Sequence, residues 1–278
     1  MKDQRRVAFI GAGSMAESIL AGLLLHNKVS PENIFVTNRQ DEARLTELKE
    51  KYSVQVDLSK ESLLAEADIV ILAMKPKGVK EAVESIRSFT NEKQLFLSVL
   101  AGITTEYISY LLDHNAPIIR VMPNTSSAVG SSATVIAQGR TVAEEHMVVA
   151  ESLLEAVGIV RRVNEVDMDA ITAIAGSGPA YMYYLIEALQ KSAEELLLDR
   201  ELATDLILQM VQGSVDLLTK TGEDPRALYE NVISPGGTTE AGFKVLKENQ
   251  FQSIVIECMK NAAKRSSDIS KQISVVPL

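Results

Sequence analysis

Residues 7–16 read Val-Ala-Phe-Ile-Gly-Ala-Gly-Ser-Met-Ala, an apolar run leading straight into a glycine turn. Glycine at both Gly11 and Gly13, with a small residue at Ala16, suits the binding of a dinucleotide through its phosphates. Gly11 makes the tight turn out of the strand. Gly13 lacks the Cβ that would hold a pyrophosphate off the backbone, and Ala16 lets the next helix pack close to the strand. Ser14 and Met15 open that helix, whose free N–H groups and positive dipole end favour phosphate. The following strand ends Val36-Thr37-Asn38-Arg39. A site for a ribose 2′-hydroxyl usually carries Asp or Glu there, whereas a 2′-phosphate wants Arg and no carboxylate. Asn38 and Arg39 therefore predict NADPH, with NADH as the alternative. Asp41 and Glu42 read as the start of the next helix.

Ligands of a doubly wound sheet bind beyond the carboxyl ends of its strands. Three more segments fall there. Ala73-Met-Lys-Pro76 places Lys75 in extended backbone before Pro76, so its carbonyl or side chain could reach the cofactor ribose. Ala101 and Gly102 let backbone come close after the next strand. Val121-Met-Pro-Asn-Thr125 puts Asn124 and Thr125 beside the expected nicotinamide. Two glycine loops farther along, Ala175-Gly-Ser-Gly-Pro-Ala180 and Ser234-Pro-Gly-Gly-Thr-Thr-Glu240, each open a helix. Pro179 suits a first helical turn, Thr238 or Thr239 can cap, and Glu240 favours the first turn. Both loops offer N–H groups and hydroxyls suited to a small anion.

The elements that must hold these loops follow from periodicity. Val7–Ile10, Ile34–Thr37, Ile69–Met74, Leu95–Val99, Ile118–Val121 and Ala133–Ala137 are Val- and Ile-rich runs, and Ile159–Val163 could add a last strand. Helical patterns separate them at Met15–Leu25, Asp41–Lys51, Gly78–Ser88, Thr104–Leu112 and Ala143–Val157. This alternation predicts a Rossmann-type doubly wound parallel sheet with helices on both faces. After about Asn164 only helices are expected: Glu165–Ala175, Ala180–Leu198, Arg200–Thr221, Pro225–Val232, Thr239–Glu248 and Phe251–Gln272. The partition is thus a dinucleotide-binding domain over 1–164 and an all-helical domain over 165–278. The Ala180–Leu198 and Glu201–Leu218 helices are apolar on more than one face, which predicts burial against another subunit. The tail Ile273–Leu278 is expected to be loosely held.

Composition narrows the function. Across 278 residues the net charge is −9, which argues against nucleic-acid binding. No apolar run is long enough to span a membrane. The chain begins Met-Lys-Asp-Gln-Arg-Arg and enters a strand within a few residues, so no signal peptide is expected and the cytoplasm is the expected location. The single Cys258 excludes an intramolecular disulfide and is expected to be a buried structural thiol. His26, His114 and His146 are scattered and expected at the surface, and the helical domain has no His. That disfavours a 2-hydroxy-acid dehydrogenase, in which a His usually moves the alcohol proton. Reduction of a C=N bond fits better: a protonated imine is already an electrophile and needs orientation more than acid–base help.

Gly11-Ala-Gly-Ser-Met-Ala16, Lys75-Pro76, Met122-Pro-Asn-Thr125, Gly176-Ser-Gly-Pro-Ala-Tyr181 and Ser234-Pro-Gly-Gly-Thr-Thr239 together resemble the pyrroline-5-carboxylate reductases over nearly the whole chain. The resemblance implies NAD(P)H-dependent reduction of 1-pyrroline-5-carboxylate to L-proline. It implies that Thr239 and Ser177 are the catalytic residues, with Thr239 bonding the ring-nitrogen side of the substrate. Amides around Gly236, Gly237 and Thr238 would hold the carboxylate, and Gly178 and Asn124 would line the same pocket. Gly11, Gly13, Ser14, Met15, Ala16, Asn38, Arg39, Ala73, Lys75, Pro76, Ala101, Gly102 and Asn124 would hold the cofactor, without a metal. It also implies a homodimer through the helical domain, with a decamer as a larger assembly. Ser126 departs from the family, which usually has a second proline there. The alternatives are a reductase of a related cyclic imine or small β-hydroxy acid, which would typically place a Lys in the first long helix of the second domain, and a non-catalytic regulatory homologue.

Overall fold

The computed structural model describes residues 4–57 and 59–274. In residues 7–162 each apolar run becomes a strand and each periodic run a helix: β1 (Val7–Ile10), α1 (Ser14–Leu25), β2 (Ile34–Thr37), α2 (Glu42–Tyr52), β3 (Gln55–Val56), α3 (Lys60–Ala65), β4 (Ile69–Leu72), α4 (Val79–Glu84), β5 (Leu95–Ser98), α5 (Thr105–Leu112), β6 (Ile118–Met122), β7 (Ser132–Gln138), α6 (Glu144–Leu154) and β8 (Gly158–Arg162). β3 and α3 are absent from the sequence-based reading, because two residues of strand and six of helix are too short to show a period.

The strands form one sheet in the order β3-β2-β1-β4-β5-β6-β7-β8. Strand order reverses about β1, which pairs in parallel with β2 on one side and β4 on the other. This is the switch point at which such sheets bind ligands. The sheet is not wholly parallel: β7 runs antiparallel to β6. Only residues 123–131 join them, too few for the crossover that a parallel pair requires.

Alternation along each strand divides the core. Val7, Phe9, Ile69, Ile71, Leu97 and Val121 face α1, α2 and α6. Ala8, Ile10, Val70, Leu72, Phe96 and Ile118 face α3, α4 and α5. All four residues of β1 and of β4 are buried, as a sheet covered on both faces demands.

The expected helix over Glu165–Ala175 is broken into a 3-10 turn, a short α7 (Met168–Ile171) and a π turn over Thr172–Gly176. Long helices then follow: α8 (Gly178–Glu195), α9 (Arg200–Thr221), α10 (Pro225–Val232), α11 (Thr238–Glu248) and α12 (Phe251–Ile273). Compactness divides the chain at other points than the change of pattern near Asn164. One unit is 1–177 with 260–278, and the other is 178–259. Arg120 explains the first. It sits in β6 with its side chain 3% exposed, 3.7 Å from Glu165 and 3.5 Å from Asp169. Glu165 accepts from the Thr105 amide and hydroxyl, and Asp169 accepts from Ser266 of α12. Ile269 packs on Gly102, and the Ser274 hydroxyl lies at hydrogen-bond distance from the Thr104 amide and the Gly102 carbonyl. The start of the expected loose tail is therefore fastened, while residues 275–278 lie outside the described ones.

In the second unit only Ala193 and Ala203 are buried. Met182, Leu185, Leu206, Met210, Leu217 and Ile254 face solvent in the single chain. Cys258, expected to be buried, is exposed there for the same reason. His114 is half-buried rather than at the surface: it meets the Thr90 hydroxyl, and burial pushes its pKa down.

Candidate active site

The glycine turn is built around two glycines with opposite requirements. Gly11 has φ +116°, and a Cβ there would stand 2.5 Å from the Ala73 carbonyl oxygen. Its N–H donates to the Thr37 carbonyl at 2.8 Å, so the turn is tied to the end of β2. Only glycine fits that conformation and that space. Gly13 has ordinary φ, and a Cβ on it would meet nothing within 4 Å. Gly13 caps α1 without a side chain, leaving the amides of Ser14, Met15 and Ala16 with no partner inside the helix. Free amides at a dipole's positive end, beside open space that glycine keeps clear, fit a dinucleotide's phosphates. Ala16 is buried against the sheet. α1 also packs tightly at Gly22, where a Cβ would lie 2.5 Å from Val157 Cγ1.

Past β2, the Asn38 side chain closes a ring with Asp41: its Nδ2 donates to the Asp41 carbonyl, and its Oδ1 accepts from the Asp41 amide. Asn38 therefore shapes this loop. Arg39 projects into solvent, 82% exposed and 3.5 Å from Glu81, free to take a new anion. Asp41 caps α2 by accepting from the Arg44 amide.

The remaining strand-end residues are differently placed. Ala73 bonds the Ile10 carbonyl through its amide, and its own carbonyl walls the glycine turn. The Lys75 carbonyl accepts from Gly78 and its side chain is exposed, while Pro76 starts the 3-10 turn behind it. Ala101 is exposed, but Gly102 is buried against α12. Asn124 is buried and bonded at both ends of its amide: its Oδ1 accepts from the Ser126 amide, and its Nδ2 donates to the Ala175 carbonyl at 3.0 Å. It acts as a strut between the β6–β7 loop and the π turn that leads to Ser177. The Ser177 amide bonds Thr172, five residues back, which makes the turn π.

In the second unit, the loop before α11 differs from its expected capping. Gly237 is the cap residue, so neither threonine caps through its side chain. Glu240 instead turns its carboxylate back to the Gly236 amide at 2.8 Å, and the Gly237 amide bonds the Ser234 carbonyl. The Gly236 and Gly237 amides are thus used inside the loop, which leaves those of Thr238 and Thr239 for a ligand. Among the described residues the hydroxyls of Ser177, Thr238 and Thr239 have no hydrogen-bond partner. An open cleft of about 600 Å³ adjoins the loop, lined by Ile233, Gly236, Glu240, Phe243 and Lys247. Tyr229 of α10 stacks on Phe243 of α11 and braces the loop from behind. No group of His, Cys, Asp and Glu among the described residues could hold a metal ion, and no helix among them is long and apolar enough to cross a membrane.

Two family models match this chain: one described as pyrroline-5-carboxylate reductase dimerisation, over residues 165–269, and one described as NADP oxidoreductase, coenzyme F420-dependent, over residues 6–102. The chain is 46% identical over 271 residues to pyrroline-5-carboxylate reductase 1 of Bacillus subtilis (strain 168), covering 98% of this chain and 91% of that one. It is 38% identical to the pyrroline-5-carboxylate reductase of Arabidopsis thaliana, with 96% of each covered. Among solved structures it resembles a pyrroline-5-carboxylate reductase from Coxiella burnetii, with a TM-score of 0.87 at 36% identity over 96% of this chain and 99% of that one. It also resembles the Plasmodium falciparum pyrroline carboxylate reductase with NADP bound, with a TM-score of 0.89 at 27% identity over 97% of this chain and 100% of that one.

Proposed function

The chain belongs to the pyrroline-5-carboxylate reductase family, and we propose that its loops at Ser177–Gly178 and Ser234–Glu240 hold the substrate while the turn Gly11–Ala16 holds NADPH. The reaction is the reduction of 1-pyrroline-5-carboxylate to L-proline. When bound, NADPH supplies the hydride. This chain's residues bind, orient and exclude. The amides of Thr238 and Thr239, at the positive end of α11, take the substrate carboxylate. The Thr239 hydroxyl bonds the ring-nitrogen side and fixes which face of the C=N bond is presented. Ser177, positioned by the π turn and the Asn124 strut, offers a second hydroxyl to the substrate. Arg39 takes the 2′-phosphate and gives preference for NADPH over NADH.

What carries this assignment is the free N-terminus of α11, where the bonds of Gly236 and Gly237 leave the two threonine amides open and neither threonine hydroxyl is used as a cap. The β-hydroxy-acid alternative needs a Lys available in α8, but Lys191 is paired at 2.7 Å with Glu187 one turn back. A non-catalytic homologue is disfavoured by intact Ser177 and Thr239. Residues 1–164 serve the dinucleotide, and residues 165–278 serve the substrate and pair two copies into a homodimer, with a decamer as the larger assembly. The near-absence of a core in 178–259 supports that pairing. The working place is the cytoplasm.

The test is oxidation of NADPH, followed by its absorbance, with pyrroline-5-carboxylate, repeated with NADH. No turnover with either coenzyme sinks the assignment. Thr239→Val is expected to lose roughly a hundredfold in kcat, the loss of one transition-state hydrogen bond, while binding NADPH as before. Full activity in that variant removes Thr239 from the mechanism.

A further inference from the structure

The glycine turn is braced by a side chain that no motif announces. Arg44, in the first turn of α2, reaches back 32 residues: its Nε donates to the Ala12 carbonyl at 2.9 Å. Its Nη2 bonds Glu17 of α1, and its Nη1 bonds Glu47 of its own helix at 2.7 Å. Glu17 also accepts from Lys51 and from the Tyr52 hydroxyl, each at 2.8 Å. The Arg44 and Glu17 side chains are only 22% and 20% exposed. With these partners the Glu17 carboxyl is held down to about 2, first by Lys51 and then by Arg44, so the network stays charged at any physiological pH. One planar guanidinium thereby joins the turn, α1 and α2.

The consequence lies in the geometry of one peptide. In a trans peptide the carbonyl and the following N–H point in opposite directions. Holding the Ala12 oxygen toward Arg44 aims the Gly13 N–H the other way, away from Arg44. We propose that Arg44 is a positioning residue for cofactor binding: it sets the Ala12–Gly13 peptide so that the amides of the turn converge on the pyrophosphate. The inference depends on the dinucleotide reading of the turn. Lysine cannot substitute, because a single ammonium cannot meet the turn carbonyl and two carboxylates in one plane.

The test compares wild type, Arg44→Lys, Arg44→Met and Glu47→Gln by titrating NADPH and NADH binding, with kcat and thermal melting alongside. Arg44→Lys keeps a cation for Glu17 but loses the bond to Ala12. It is expected to weaken both coenzymes by about tenfold, the worth of one charge-assisted hydrogen bond, with kcat at saturation within about twofold. Arg44→Met is expected to weaken both further. Glu47→Gln removes only the outer ion pair and is expected to bind like wild type; it keeps the comparison alive if the Arg44 variants fold poorly. Loss of NADPH affinity alone overturns the proposal in favour of a direct contact with the 2′-phosphate. A lowered melting temperature with unchanged affinities overturns it too, as does a Glu47→Gln defect as large as that of Arg44→Lys. Failure of wild type to bind either coenzyme is a different result and removes the dinucleotide reading itself.

Discussion

Alanine at Gly11 and alanine at Gly13 are the same chemical change two residues apart, yet they should produce opposite phenotypes. At Gly11 the backbone has φ +116°, and the added Cβ would lie 2.5 Å from the Ala73 oxygen, 2.7 Å from the Ala73 carbon and 2.9 Å from the Met74 nitrogen. These are backbone atoms at the end of β4, so no rotamer change relieves the overlap. The strained backbone and the forced shift together cost about 3 kcal/mol. For a chain of this size that is a fall of roughly 6–12 °C in melting temperature. At Gly13 the Cβ enters open space and φ is already negative. Alanine there is a poorer helix cap than glycine, but it lowers the entropy of the unfolded chain by a similar amount, so stability stays within about 0.5 kcal/mol. The methyl instead stands where the phosphates must approach, and coenzyme affinity falls by roughly tenfold to a hundredfold. Differential scanning calorimetry and NADPH titration on the same samples separate the two. If Gly13→Ala melts early and binds normally, or if Gly11→Ala melts like wild type, the division of labour between the glycines is refuted.

Arg39→Ala is expected to weaken NADPH by about tenfold or more, the loss of one charge-assisted contact to phosphate, while leaving NADH within about twofold; equal losses would remove the 2′-phosphate role. Glu17 gives an acid-stability signature. Its folded carboxyl sits at about 2 against an ordinary 4.5, so the stability it contributes is complete above pH 4.5 and is lost as pH falls toward 2. Solvent screening holds that contribution to about 1 kcal/mol, and Glu17→Gln should lower the melt at neutral pH but show a shallower decline through that acid window.

The residues that were legible in the sequence are those whose own type carries the geometry. Gly11 and Gly13 announce a turn because nothing else adopts φ +116° there or keeps that space clear. β1 falls where its apolar run ends, because a sheet buried on both faces leaves no polar residue to blur the edge. The greasy faces of α8 and α9 were legible for the same reason, as apolar residues too numerous for one buried stripe. The capping of α11 was legible only in kind: Thr238 and Thr239 are good caps, but the chain places Gly237 in that position and Glu240 behind it. The antiparallel β7 was missed because direction is set by the length and path of a connection, and residues 123–131 read as an ordinary loop.

The bonds that hold the site in shape share a different property. Arg44 reaches Ala12 across 32 residues and Asn124 reaches Ala175 across 51, and in each the acceptor is a backbone carbonyl. A carbonyl belongs to every residue, so the partner's identity leaves no mark on the sequence. Arg120 is hidden in another way: its aliphatic stem completes the apolar run Ile118–Met122, while its head meets Glu165 and Asp169. Ligand-facing loops therefore declare themselves through glycine and threonine, whereas the struts behind them become visible only once the chain has folded. Substitutions at Arg44 should thus perturb coenzyme binding, and those at Asn124 turnover, as strongly as many changes in the loops, although neither side chain needs to touch a ligand.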